Sequence, residues 1–324
     1  MKLLTFIILS ILFTNIYASC GSSNCPLYHF HYSRTGGLYL RISYEYINQD
    51  QLYVGTNRSF IGAIPEQHDE VSTLNSLTFL QLQYGISDRL SFGFILPFIH
   101  HEHNHIHHDK GQDVWENWNF SGMGDIILLA NYSLILPTMN SETYLSISGG
   151  IKLPTGITDA KNTEGEEAEV TIQPGSGSVD EVIGINFRHP LFTVKTTKDG
   201  VYSTIPLIIG LSYQIAGKGT NDYKFGNTFL ANLGTDYQLT DKASLAFQVN
   251  GKFQGHSDPG KTGEPEENTG GKWIYFSPGL NFSIDQTLSF YGFIQLPVYQ
   301  NVNGIQQTSR FNLQLGVTAN TSLL

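Results

Sequence analysis

From about residue 38 onward, hydrophobic residues fall on every second position in short segments, with polar or small residues between them. A strand turns successive side chains to opposite faces, so this pattern predicts β-strands with one apolar face. Strands that cross a bilayer read as segments of about ten such residues separated by turn residues. Twelve segments fit. The first, LYLRISYEY, sets Leu38, Leu40, Ile42, Tyr44 and Tyr46 against Arg41, Ser43 and Glu45. The third runs from Leu90 to about Ile99 with Phe92, Phe94, Leu96 and Phe98 outward. The fourth sets Ile126, Leu128, Ala130, Tyr132 and Leu134 against Asp125, Asn131 and Ser133. In the fifth, Leu145, Ile147 and Ile151 oppose Ser146, Ser148 and Lys152, and in the sixth Ile183, Ile185 and Phe187 oppose Asp180. The second half is as regular, with Asp236 and Lys252 among its inward positions and closing segments around Ile274, Leu288 and Phe311.

A sheet edge left open in lipid strands backbone groups at several kcal/mol each, so these segments must close on themselves. The fold expected is therefore all-β, a transmembrane antiparallel up-and-down barrel of about twelve strands. Connection lengths give a second line of support. SDR, TMNSE, TDK and DQ are short, whereas Gln51 to Thr73, His100 to Ser121, Thr158 to Ser176 and His256 to Gly270 are long, polar and glycine-rich. Short and long alternate, as periplasmic turns and extracellular loops do. A soluble β-sandwich would share the alternation; the aromatic outer faces and the N-terminal segment favour the barrel.

That N-terminal segment, MKLLTFIILSILFTNIYASC, carries Lys2, an apolar run too short for a membrane helix and small residues at Ala18 and Ser19. It is laid out as a secretory signal peptide over residues 1–18. Residues 19–37 then form a short periplasmic segment, and residues 38–324 the barrel in the outer membrane of a Gram-negative bacterium. The only cysteines, Cys20 and Cys25, support a short-loop disulfide in an oxidising compartment or acylation of Cys20. With 33 Gly, 20 Phe and 17 Tyr but only 14% charged residues, the chain lacks the composition of a soluble domain of its size. A formal charge of -10 argues against nucleic acid as a partner.

The third strand runs into IHHEHNHIHHDKG. Continuing its phase places His101, His103, His105 and His107 on the inward side, with His100 and His108 beside them, in an extracellular loop at the mouth. Imidazoles at period-two spacing suit Zn²⁺, Cu²⁺ or Ni²⁺, so this loop is the candidate metal site, although the barrel itself needs no cofactor. Inside the barrel, Arg41, Glu45, Asp125, Lys152, Asp180, Asp236 and Lys252 are the candidate lumen-lining residues. Charges of both signs there argue against strong selection by charge. Barrels of about eight strands are filled and those of sixteen to eighteen hold wide channels, so about twelve predicts a narrow polar passage.

Other motifs carry less. GHSDPGKT, Gly255 to Thr262, spells a phosphate-binding loop, but the glycine-rich, proline-containing stretch after it cannot supply the helix that such a loop feeds. The acidic EGEEAE, Glu164 to Glu169, reads as a solvated charge run. No His lies on an outward position within a membrane-crossing segment, which argues against a lipase-type site, and the chain is not expected to be an enzyme.

Three upward strands end alike, in FILPF, IKLPTG and IQLPVY. Together with GMGDIILLANYSL, Gly122 to Leu134, and QPGSGSVDEVIG, Gln173 to Gly184, these segments resemble the bacterial outer-membrane transporter family labelled putative MetA-pathway of phenol degradation. The resemblance implies a channel-like barrel for small, often aromatic, compounds. Expected partners are outer-membrane lipid, small solutes and the barrel-assembly machinery, although the sequence ends GVTANTSLL without the terminal Phe common in such barrels. A metal-binding surface protein on a sealed barrel is the alternative.

Overall fold

The computed structural model describes residues 34–63, 68–109, 112–138, 141–162, 165–195, 202–262 and 266–322. The segment expected to be a signal peptide and both cysteines lie outside these residues. The described residues form thirteen strands: β1 (Gly37–Gly55), β2 (Asn57–Arg58), β3 (His68–Gly85), β4 (Leu90–Asp109), β5 (Gln112–Met123), β6 (Ile127–Ile135), β7 (Tyr144–Lys152), β8 (Asp180–Lys195), β9 (Tyr202–Ile215), β10 (Thr228–Gln238), β11 (Ala243–Gln254), β12 (Gly271–Ser283) and β13 (Leu288–Ser322). No α-helix occurs among the described residues.

Neighbours in sequence are neighbours in the sheet, and the last strand pairs with the first, from Gly37 opposite Ser322 to Gly55 opposite Val302. The ring passes through eleven of the strands, with β2 and β5 off its path. An odd ring cannot be antiparallel at every joint, so one member must turn back on itself. That member is β13. Its Ser289–Val302 part pairs with β12 and its Val302–Ser322 part with β1. Between them Gly304 takes a left-handed φ of 54° after Asn303, an Asn-Gly step suited to a tight turn. The two halves lie side by side, with Asn312 donating to Gln295 at 3.2 Å. Counting both halves gives twelve wall strands, the number the alternation predicts.

The outward face carries the apolar set expected of it. Ile42, Phe92, Leu128, Ile183, Leu280 and Leu315 are each at least two-fifths exposed. Surrounding lipid accounts for that face, and no water-facing core is needed to explain it. At the end of the barrel with the short connections, three turns share one device, a side-chain oxygen that accepts from backbone N–H groups two and three positions on. Ser87 serves Arg89 and Leu90, Thr240 serves Lys242 and Ala243, and Asp285 serves Thr287 and Leu288 at 2.7 and 2.8 Å. Those two N–H bonds hold the exposed Asp285 carboxyl below its ordinary range.

At the other end the wall rises above the membrane. The lower part of β4 pairs with β6 up to Ile95, and its upper part, Phe98 to Asp109, pairs with β5. Residues 124–126 interrupt what would otherwise be one strand. The histidines expected in a loop therefore lie in β4 itself, on a hairpin with β5. The stretch between His100 and Ser121 extends the sheet, with His101 opposite Phe120, His103 opposite Trp118 and His105 opposite Glu116.

Candidate functional site

Side chains on the inner wall divide into two arcs. On the first, Ile95 of β4, Ile127 and Leu129 of β6, Val182 of β8 and Leu230 of β10 form one buried apolar cluster. Ile47 of β1, Leu77 of β3 and Ile99 of β4 form another, and Phe79 packs against both. They join into a belt of hydrocarbon inside the barrel. The alternation template misses these residues because it scores one face only, yet FILPFI, DIILLA and SLTFL are near-continuous apolar runs. That is how strands apolar on both faces read.

The second arc, on β11 to β13 and the start of β1, is richer in polar side chains, although Trp273, Tyr275 and Val302 form an apolar cluster on it. Asn250 is fully buried and its amide donates to Asn232 and Gln248, while its carbonyl oxygen accepts from Ser277. Arg41 donates through Nε to the Tyr291 hydroxyl at 2.6 Å and lies 4.7 Å from the centre of that ring. Tyr291 reaches Arg41 by lying over Gly316, where an added Cβ would stand 2.2 Å from the ring. Gln314 donates to Glu45 at 3.1 Å, and the Lys252 ammonium sits 5.4 Å from the centre of Trp273.

Three of the seven candidate lumen residues come together near the mouth. Lys152 pairs with Asp125 at 3.2 Å and with Asp180. Asp125 also accepts from the backbone of Gly156 and Ser176, and Asp180 from the Ser178 hydroxyl and the Gly217 backbone. A buried ion pair persists where such additional bonds satisfy the remaining lone pairs. The knot explains the glycines of LPTG and QPGSGS, because a Cβ on Gly175 would lie 2.6 Å from the Gly156 carbonyl carbon. Asp236 lies elsewhere, half-buried, 3.2 Å from Arg188.

Above the belt, the inward face of the β4–β5 hairpin carries His101, His103 and His105, all buried, with Phe120 and Trp118. His101 meets Phe120 edge-on at 5.7 Å, and His105 stacks on Trp118 at 6.4 Å. His103 contacts Glu70 at 3.5 Å and Thr73 at 2.7 Å, His105 contacts Glu116 at 3.1 Å, and His100 bonds Ser121 at 2.8 Å. Burial, then the neighbouring His103 and His100, push the His101 imidazole down to about 4. The histidines are thus dispersed among aromatic and carboxylate partners. Among the described residues, no group of three or more His, Cys, Asp or Glu converges to hold a metal ion. His107 and His108 lie in β4, with side chains outside the description. Gly255 to Thr262 sits between β11 and β12, followed by a single 3-10 turn, Glu266–Asn268.

No family model matches the chain, and neither does any curated protein. Among solved structures, it is similar to an outer membrane channel from Pseudomonas putida F1, at 15% identity and a TM-score of 0.60, over 92% of this chain and 99% of that one. More distant are a FadL homologue from Pseudomonas aeruginosa, at 10% identity and TM-score 0.41 over 89% and 90% of the two chains, and the CymD monoaromatic hydrocarbon channel, at 10% and 0.39 over 89% of each. The first likeness is one of fold. With the closed ring and the apolar outer face, it makes this chain a β-barrel of the outer membrane of Gram-negative bacteria.

Proposed function

We propose that the barrel is a passive channel for small solutes of apolar or aromatic character, the role that the resemblance to the phenol-pathway transporter family implies. The observation that carries this reading is the inner belt of Ile47, Leu77, Phe79, Ile95, Ile99, Ile127, Leu129, Val182 and Leu230. Lipid cannot account for apolar side chains on the inward face, and a lumen serving only water and ions has no use for them. The aromatic and imidazole lining above the belt extends a surface on which flat rings stack. Its place in the membrane follows from insertion by the barrel-assembly machinery.

Recording from refolded protein in planar bilayers tests the reading. Discrete current steps are expected, partly blocked by millimolar phenol. Replacing Phe79 by Ser should leave the steps and remove most of the block. Folded protein that gives no steps, or a block untouched by that change, would overturn it.

A further inference from the structure

The inner wall holds a path without side chains. Gly150 of β7 stands opposite Val182; two positions further down β8 is Gly184, opposite Ser148 and Ser212. Two positions down β9 is Gly210, opposite Asn186 and Asn232, and two down β10 is Gly234, opposite Ile208 and Gln248. Each glycine shares the inward phase of its strand, alongside buried Val182, Asn186, Ser212 and Asn232. The result is a groove that descends one step per strand. Leu129 fills its upper end, since a Cβ on Gly150 would meet that side chain at 2.6 Å. Its lower end is bridged by Arg188 and Asp236, which pair across β9 at 3.2 Å.

Around the third step the polar groups lack partners. Ser146, Asn186, Gly210 and Asn232 form one row across β7 to β10. Asn186 is 6% exposed, and neither its amide nitrogen nor its oxygen has a hydrogen-bond partner among the described residues. The Asn232 amide nitrogen and the Ser146 hydroxyl, in residues 3% and 0% exposed, are in the same condition. Buried polar groups are paired in the great majority of cases, and leaving one unpaired costs about 1–3 kcal/mol. Three together, beside a position that has no side chain, mark a place where a bound molecule completes the pairing.

We infer that the notch at Gly210, between Asn186 and Asn232, seats the neutral hydroxyl or carbonyl head of a small solute whose apolar body rests on Leu129, Val182 and Leu230. This rests on the channel reading and names the class of solute. Two strand spacings separate Asn186 from Asn232, about 10 Å between backbones, which leaves room for one small head group between the amides. An amide offers both a donor and an acceptor, and a hydroxyl uses both. A charged head finds no free counter-ion, because Arg188 and Asp236 pair with each other and Lys252 lies over Trp273.

The test compares 4-fluorobenzyl alcohol with 4-fluorotoluene, following their ¹⁹F signals with refolded protein in detergent and with empty micelles as reference. The alcohol should bind about tenfold more tightly than the toluene, the worth of one well-made hydrogen bond. Asn186→Leu should abolish that preference while raising the denaturant midpoint, because it removes an unpaired buried amide. An amide needed only for structure would instead lower the midpoint. Gly210→Val should weaken alcohol binding by a similar factor. No preference in the parent protein, or a preference that survives Asn186→Leu, overturns the seat. Loss of bilayer conductance alone would overturn the channel and leave the seat standing, so the two failures are distinguishable.

Discussion

The two arcs of the inner wall share one barrel, one alternation and one kind of outer face, yet they are built on opposite principles. Between β3 and β10, apolar side chains from five strands pack into clusters beside a few buried polar groups; from β11 round to the start of β1, hydrogen-bonded polar side chains predominate, with one apolar cluster at Trp273, Tyr275 and Val302. Lipid dictates the outer positions of both arcs alike. Nothing about closure dictates the inner ones. Where inner positions diverge, the divergence reports what the lumen must accommodate.

The arcs are best broken separately. Leu77, 0% exposed and packed with Ile47 and Ile99, should be the most sensitive position. Leu77→Ala is expected to destabilise by about 2–5 kcal/mol, read as a drop in the denaturant midpoint, because a packed belt cannot collapse around the missing atoms. On the polar arc, Asn250→Ala removes one side chain and orphans Ser277, Gln248 and Asn232. About 1–3 kcal/mol is expected, with no change in phenol block if the apolar arc alone binds the ring.

A pH series sharpens the boundary between belt and rim. The His101 imidazole titrates at about 4 in the folded barrel against 6.5 for the free side chain, so between those values the unfolded chain holds the extra proton. The stabilising contribution is therefore complete above about 6.5, is lost progressively as pH falls toward 4, and does not recover below it. The unfolding midpoint should fall over that window, and His101→Leu should flatten the slope. An unchanged slope would mean that His101 is not buried neutral. The smallest effect is expected from Asp236→Asn. Its ion pair with Arg188 is about a third exposed, so the loss should stay below about 1 kcal/mol.

The outer half of this architecture was legible in the sequence and the inner half was not. Ile42, Phe92 and Leu280 declare the strand phase because lipid tolerates only apolar side chains there, and a period of two makes any slip visible. The turn of β13 was also legible as two segments, Leu288 to Val298 and Phe311 to Val317. By contrast, Ile95, Ile127 and Val182 sit on the face that a barrel rule assigns to polar residues, so they were passed over. The sequence places Lys152, Asp125 and Asp180 inward; only the folded chain shows that they pair with one another, with Ser176 and Ser178 bonded to the same carboxylates. DVWENWNFSGM has no clean alternation to announce a strand, and its pairing with the histidine stretch depends on β4 continuing past the membrane. Gly184, Gly210 and Gly234 are unremarkable residues until register aligns them.

The seam between β1 and the second half of β13 has a consequence in time. It joins opposite ends of the described chain, so its contacts are the most remote in sequence and the last whose loop entropy can be repaid. Until that seam forms, two long edges face lipid with every ladder bond unmade, and each costs several kcal/mol. A polypeptide arrested just before residue 302 would carry nearly all the wall and still be unable to settle in the membrane. Closure in the membrane is thereby all-or-none, and a nearly finished barrel is no more viable than a half-finished one.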